Sequence, residues 1–267
     1  MGLLRTARAE LLKNIRQSFF TNYMLIFNLL LPFGVGLTYY FIYLPFPHEI
    51  LNVQGFELSL VNFTLAGQII YLLFINVMLI GVAFTQERLQ GTLETIFLTP
   101  CNRFAVLLGG SLAGVVNYFW FILGMISVSF ILQISPYITS VYAVIISVIL
   151  TLVSTVVVGM VLQAFFVSSR RGSMWATALQ EPMLFVSGIV FPLQYAPRFV
   201  QTLALAVPLS FSVLALRASV FAGASVHDLG TVFIFLVCVS LLYCVLTMYC
   251  MKLIDVRLRR EGTLQLF

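Results

Sequence analysis

Charged residues are scarce in this chain: they make up 9% of its 267 residues, against about 25% in a typical soluble domain. Hydrophobic residues account for 61%, and the mean hydropathy is +1.07. A soluble fold of this size lacks the interior to bury so much apolar surface. The composition therefore excludes an ordinary soluble protein and predicts that lipid surrounds much of the chain.

Two chemical signatures are also missing. The four cysteines form no C-x-x-C pair, and Cys238, Cys244 and Cys250 lie in one apolar segment at spacings of six, as expected of small packing residues. Neither a disulfide framework nor a metal site is predicted. No phosphate loop of the form G-x-x-x-x-G-K-[ST] is present, since the only two lysines, Lys13 and Lys252, follow no such glycines. We therefore expect no enzyme activity, and no bound cofactor, from this chain by itself.

The positive charges are concentrated in four short clusters that long apolar stretches separate. Twelve of the fourteen lysines and arginines lie in them, and only Arg198 and Arg217 lie elsewhere. Positive charge in short loops beside membrane spans marks the cytoplasmic side. We therefore predict that both termini are cytoplasmic. The net charge of +5 reflects this topology, so no nucleic-acid partner is predicted. The clusters are Arg5/Arg8/Lys13/Arg16, Arg88/Arg103, Arg170/Arg171 and Lys252/Arg257/Arg259/Arg260.

The apolar stretches predict an all-α membrane protein with six spans in a single transmembrane domain over residues 1–267. A helix needs about 20 apolar residues to cross a bilayer, and six stretches meet this length. They are Tyr23–Leu44, Leu60–Phe84, Phe104–Ile134, Val141–Val167, Met174–Phe191 and Leu229–Met251.

Two segments outside these spans are predicted to lie at the membrane surface. Residues 1–22 place leucines on one arc and cations on the next, which is typical of an interfacial helix; a frayed basic tail is the alternative. Residues 192–228 are apolar but interrupted by Pro197, Pro208 and two arginines. A crossing there would put the C-terminus outside, so we predict an outer re-entrant hairpin.

The loop between spans two and three, residues 85–101, predicts a short amphipathic helix at the inner surface. Apolar residues recur on one helical face, and Glu87, Gln90 and Glu94 lie away from it. A charged face of this kind suits a soluble partner, although plain solvation is the alternative. The apolar positions are Leu89, Leu93, Ile96, Phe97 and Pro100.

This loop resembles the signature of the ATP-binding-cassette type-2 permeases. The matching residues run Glu87-Arg88-Leu89-Gln90-Gly91-Thr92-Leu93-Glu94 and then Phe97-Leu98-Thr99-Pro100. A second stretch, Ser187-Gly188-Ile189-Val190-Phe191-Pro192, resembles the end of the family's fifth span. With the interfacial first helix and the six spans, the resemblance covers the whole chain.

The resemblance implies that the loop is a coupling helix that docks on an ATPase subunit. Carried over residue by residue, the coupling positions are Glu87, Arg88, Gly91, Thr92 and Glu94. ATP and Mg would then belong to a separate nucleotide-binding subunit. A second permease subunit, identical or a paralogue, is also implied. Gly110-x-x-x-Gly114 is a close-packing motif that fits either that second subunit or packing within the chain.

Glu181 is the one ionisable residue well inside a predicted span, and it precedes Pro182. We predict that Glu181 faces a translocation path with Gln180 and the span-two residues Asn62, Gln68 and Asn76. The alternative is a structural role, protonated or hydrogen-bonded to a neighbour such as Asn117 or Gln163. On the outer side, Arg198 and Arg217 are candidates to receive an anionic substrate or a lipid headgroup. The alternative is that they satisfy helix ends or interact with headgroups as interfacial anchors.

These features predict the membrane subunit of an ATP-driven exporter of an amphipathic substrate such as a drug-like compound, a lipid or a lipopeptide. A lipid-linked glycan or polysaccharide is the alternative substrate. An intramembrane enzyme or a channel is the alternative class, although neither convergent catalytic groups nor a pore motif is evident. The predicted location is a cell membrane, in particular a bacterial cytoplasmic membrane.

Overall fold

A computed structural model gives the fold as helices, with one short hairpin of strands. It describes residues 2–18, 22–43, 50–53, 55–91, 102–131, 133, 136–169 and 171–261. The elements are α1 (Leu3–Ser18), α2 (Asn22–Tyr43), β1 (Ile50–Val53), β2 (Phe56–Ser59), α3 (Leu60–Leu89), α4 (Arg103–Ile131), α5 (Val141–Ser168), α6 (Gly172–Val186), α7 (Arg198–Ala206), α8 (Pro208–Phe221) and α9 (Gly230–Glu261), with a single 3-10 turn at Leu193–Tyr195.

Within these residues, four helices are long and apolar enough to cross a membrane: α3, α4, α5 and α9. The predicted membrane class therefore fits, but six spans are not confirmed. In α2 the qualifying apolar stretch is the shorter Leu29–Ile42. The predicted span Met174–Phe191 corresponds to α6, which has 15 residues and ends at Val186, about 22 Å against a hydrocarbon core of about 30 Å.

The helix α3 is the centre of the bundle, and it packs against α4, α5, α6 and α8. Its most apolar window is 72% buried, compared with 22% for α9. The largest core cluster joins Phe74 and Met78 of α3 to Phe166 of α5 and Leu209 of α8. A helix that is apolar all round is expected at such a position, whereas α9 leaves most of its surface for lipid.

Glycines allow α3 and α4 to approach closely. A Cβ at Gly114 would lie 2.6 Å from Val77 Cα, and one at Gly110 would lie 3.0 Å from Ile80 Cγ2. Both neighbours belong to α3, so the Gly110-x-x-x-Gly114 motif is used within the chain. Of the two roles left open for this motif, the structure supports packing inside one bundle.

The structure also contains a β-hairpin that the helical prediction did not include. Strands β1 and β2 pair antiparallel, with Val53 opposite Phe56, and Gly55 has φ +91°, as a tight turn requires. Val53 and Leu58 are buried against Phe63 at the start of α3. Next to the hairpin, α7 and α8 meet at 90°, so the predicted re-entrant segment consists of two short helices with a sharp bend.

Candidate coupling site and interior polar groups

The predicted coupling segment does not begin as a separate helix. The helix α3 runs without interruption through Thr85 and Glu87 to Leu89. Gly91, two residues after this end, has φ +72°, the left-handed conformation common just after a helix end. Among the described residues, no atom lies within 4 Å of a Cβ built there, so the glycine serves the turn and makes no close packing contact with them. Thr92, Glu94 and the rest of the predicted coupling helix lie outside the described residues.

The helix α1 docks onto the start of α4 through a small-residue contact. A Cβ at Gly109 would lie 2.9 Å from Glu10 Cβ and would clash with the carbonyl oxygen of Ala7. The buried side of α1 is therefore Thr6, Ala7, Glu10 and Asn14, whereas Leu4 is 81% exposed. The side of α1 that packs on α4 is thus the small and polar one, and Leu4 of the predicted interfacial helix faces outward.

Lys13 joins α1 to the end of α3. Its Nζ donates to Glu87 Oε1 at 2.7 Å and also pairs with Glu10, whose Oε1 accepts a hydrogen bond from Asn14 Nδ2. Burial lowers the pKa of Lys13, but the hydrogen bonds and charges of Glu10 and Glu87 outweigh that effect and leave it above the ordinary value of 10.5. Glu87, which the resemblance predicts as a coupling position, is therefore bound to α1 of the same chain. It lies four residues before Gly91.

The polar residues of α3 that were predicted to line a path differ in how far they are buried. Gln68 and Asn76 are buried, and Asn62 is half-buried. Asn76 Nδ2 donates to its own helix at the carbonyl of Leu72. This bond satisfies one N–H of the amide group within α3.

Gln163 of α5 is a polar clamp at the centre of the bundle. Its Nε2 donates to the carbonyl of Val77 in α3 at 3.2 Å and to Ser111 Oγ in α4 at 3.1 Å. The contact ties three helices together in a region with no water to supply hydrogen bonds. Gln163 was considered as a partner for Glu181, but these bonds are directed to α3 and α4 instead.

Glu181 lies on an exposed side of α6. Gln180 next to it is half-buried, and Trp175 and Phe185 are exposed on the same helix. Among the described residues, Glu181 forms no hydrogen bond or ion pair. Within the same residues, no three His, Cys, Asp or Glu side chains lie close enough to hold a metal ion.

Arg217 of α8 is buried and binds backbone carbonyls from two other parts of the chain. Its Nε donates to Phe63 O at 2.9 Å, and its two terminal nitrogens donate to Gly188 O and Ile189 O, both at 2.8 Å. Its guanidinium lies 3.5 Å from the centroid of the Phe63 ring. Gly67 leaves the space for it, since a Cβ there would be 2.7 Å from Arg217 Nη2. Arg198, at the start of α7, is exposed.

A comparison with protein-family profiles decides the family. Residues 37–249 match the profile described as ABC-2 family transporter protein. The chain belongs to this family. The resemblance predicted from the Glu87–Pro100 and Ser187–Pro192 stretches is thereby confirmed. A search of curated proteins returned no match.

The match runs from residue 37, within α2, to residue 249, within α9. The matched region holds Glu87, Gly91, Glu181 and Arg217, whereas Lys13 lies before it. The ion pair Lys13–Glu87 therefore links α1, which precedes the matched residues, to the segment that the resemblance assigns to coupling.

Sequence reasoning missed three groups that the structure makes prominent. Lys13 was identified only as part of a basic cluster, although Glu10 stands three residues before it at ion-pair spacing on a helix. The clamp residue Gln163 was considered only as a neighbour of Glu181. The triple carbonyl contact of Arg217 joins residues up to 154 positions apart, and no local pattern in a sequence signals such a contact.

Proposed function

We propose that this ABC-2 permease is the membrane subunit of an ATP-driven exporter, paired with a second permease subunit and powered by a separate ABC ATPase. The family match over residues 37–249 carries this proposal. Since these 267 residues contain no phosphate loop, ATP and Mg are assigned to the ATPase subunit.

In this proposal, the ATPase subunit pushes on the permease at the end of α3. Glu87 lies in the last turn of α3, and Gly91 follows its end. Because α3 is the centre of the bundle, a push at this end is transmitted to α4, α5, α6 and α8. Arg88, Gly91, Thr92 and Glu94 remain the proposed contacts to the ATPase. Glu87 acts differently, because its bond to Lys13 passes the same motion to α1.

The exposed side of α6 is the proposed wall of the path between two permease subunits. A charged side chain at the centre of a bilayer costs about 2.5–3.5 kcal/mol on insertion scales. Glu181 is exposed and makes no bond among the described residues, so this side of α6 is better suited to water or a second subunit than to lipid.

An amphipathic substrate fits the surfaces near this proposed path. Trp175 and Phe185 supply apolar contacts, and Glu181 and Gln180 supply polar ones. Drug-like compounds, lipids and lipopeptides share this chemistry. A lipid-linked glycan is the second candidate substrate, because its lipid anchor meets the same requirement. The proposed location is a bacterial cytoplasmic membrane, with both termini inside.

The partner is tested by purifying the tagged full chain from native membranes with a cross-linker attached to a cysteine at Gln90, which is exposed. We expect a product with a protein that contains a phosphate loop and an ABC signature. The same cross-linker at the exposed Tyr137, near the opposite end of α4, is the control. Equal yields at the two sites would contradict the coupling assignment.

The transport role is tested with the co-purified complex in proteoliposomes. We expect ATP-dependent movement of a fluorescent amphipathic dye, and slower transport with an altered pH profile in Glu181→Gln. Unchanged transport and pH dependence in this variant would remove Glu181 from the path. Ionic currents without ATP would favour a channel instead.

A further inference from the structure

A cleft of about 700 Å³ lies at the end of the bundle opposite α1, where α7, α8 and the start of α9 meet. Its lining combines Arg198, Gln201 and Arg217 with apolar side chains such as Leu205 and Phe235. A lipid-facing surface is uniformly apolar, and a packed core leaves no such space. The mixed lining fits a ligand that is charged at one end and apolar at the other.

The helix α7 orders these two kinds of group along the cleft. Arg198, Gln201 and Leu205 follow one another at spacings of three and four, which places them on one side of the helix. Arg198 and Leu205 are thus separated by about 10 Å along the axis. The charged end of the cleft lies near Arg198, and the apolar end lies near Leu205.

Arg217 adds a second positive charge at the wall of the cleft. It is 3% exposed, and among the described side chains no carboxylate pairs with it. Three of the five guanidinium N–H groups donate to carbonyls, which leaves two for a ligand. A buried cation without a counter-ion is costly, so a negatively charged group in the cleft would offset part of that cost.

The edges of the cleft indicate that its occupant comes from the membrane. Leu205 and Phe235 line the cleft and are 62% and 56% exposed. The helix α9 carries further exposed apolar residues, Ile234 just before Phe235 and Leu241 and Leu242 beyond it. A hydrocarbon chain leaving the cleft at this edge would lie along α9 and stay in contact with apolar surface.

We propose that this cleft binds one anionic phospholipid of the surrounding membrane. The head-group phosphate lies between Arg198 and Arg217, Gln201 contributes a hydrogen bond, and the first part of an acyl chain packs on Leu205 and Phe235. This assignment concerns a resident lipid rather than cargo. It does not depend on the ATPase or on the proposed transport role.

Native mass spectrometry of the delipidated full chain in detergent tests the proposal with phosphatidylglycerol and phosphatidylcholine as probes. We expect one phosphatidylglycerol to be retained in preference to phosphatidylcholine. Arg198→Gln should weaken that binding about five-fold, as expected for one cation near a lipid phosphate. Val232→Trp, which fills the cleft and keeps both arginines, should weaken it at least as much. Arg5→Gln, an exposed cation on α1, is the matched control.

Three outcomes would overturn the assignment, provided that the melting temperatures of the variants match that of the parent chain. One is equal retention of the two lipids. Another is binding in Arg198→Gln and Val232→Trp that equals binding in Arg5→Gln. The third is displacement of phosphatidylglycerol by an equal concentration of glycerol phosphate, which would mean that the acyl chain plays no part.

Discussion

At the scale of single residues, Lys13 is the cation that balances two carboxylates. Glu10 is 7% exposed, and the side chain of Glu87 is 15% exposed. Both therefore lose much of their hydration, and Lys13 supplies the compensating charge. Without it, two negative groups would face each other in a partly buried site, which is unfavourable by repulsion as well as by desolvation.

Lys13→Met should destabilise the protein by about 1–3 kcal/mol, because it leaves charged acceptors without their donor. The expected observation is a lower melting temperature in detergent. Arg5→Met is the matched control, since Arg5 is an exposed cation on the same helix and its loss should cost little. Equal melting temperatures for the two variants would show that the ion pairs add no stability.

The contribution of Lys13 to the free energy of unfolding should also depend on pH in a defined direction. Its folded-state pKa is raised above the ordinary 10.5, so the stability that it adds is fully present below 10.5 and is lost as the pH rises through the folded-state pKa. The melting-temperature difference between the parent chain and Lys13→Met should therefore be constant from pH 7 to 9 and shrink above the ordinary pKa. A difference that shrinks between pH 7 and 9 would be contrary to this assignment.

At the scale of elements, the attachment of α1 depends on the absence of a side chain at Gly109. A Cβ there would lie 2.9 Å from Glu10 Cβ and would clash with the backbone of Ala7. Gly109→Ala should push α1 away from α4 and weaken the Lys13–Glu87 pair. We expect faster hydrogen–deuterium exchange across Leu3–Ser18. Gly34→Ala is the control, because no atom lies within 4 Å of its added Cβ; the same exchange in both variants would mean that the contact does not hold α1.

The long helices could be predicted from the sequence because their signal is local. The predicted spans Leu60–Phe84 and Val141–Val167 correspond to α3 (Leu60–Leu89) and α5 (Val141–Ser168), since an uninterrupted apolar run of that length has few other solutions in lipid. The helix α3 extends past the predicted span because Thr85–Arg88 are polar but remain helical. The hairpin β1–β2 was missed because its strands have four residues each, too few for a clear alternating pattern.

At the scale of the whole molecule, the candidate site depends on contacts between distant parts of the chain. The coupling motif was recognisable because its residues are consecutive. Its attachment to α1 was not, since Lys13 and Glu87 are 74 positions apart. Likewise, hydropathy and charge bias placed Arg217 in the outer segment but did not predict its burial, which depends on the space left by Gly67.

Among the helices that the structure describes, α6 suits neither lipid nor the core, and this bears on where the proposed second subunit would make contact. The helix α6 has 15 residues, holds Pro182 in its interior and exposes Glu181. The exposed surface of α9, by contrast, is apolar at positions such as Leu241 and Val245, which suits contact with lipid. We therefore predict that two copies, or a copy and its paralogue, face each other through α6.

Cysteine cross-linking measures this arrangement once Cys101, Cys238, Cys244 and Cys250 are replaced by alanine. Single cysteines at Ala178, Glu181 or Phe185, exposed and spaced along one side of α6, should give a covalent dimer under mild oxidation. Cysteines at Leu241 or Val245 of α9 should not, because lipid separates those surfaces. Adding ATP to the assembled complex should change the α6 yields, since coupling at the end of α3 is expected to move α6 against its partner. Cross-linking that is equal at α6 and α9, or stronger at α9, would place the subunit interface elsewhere and leave the exposure of Glu181 without an explanation.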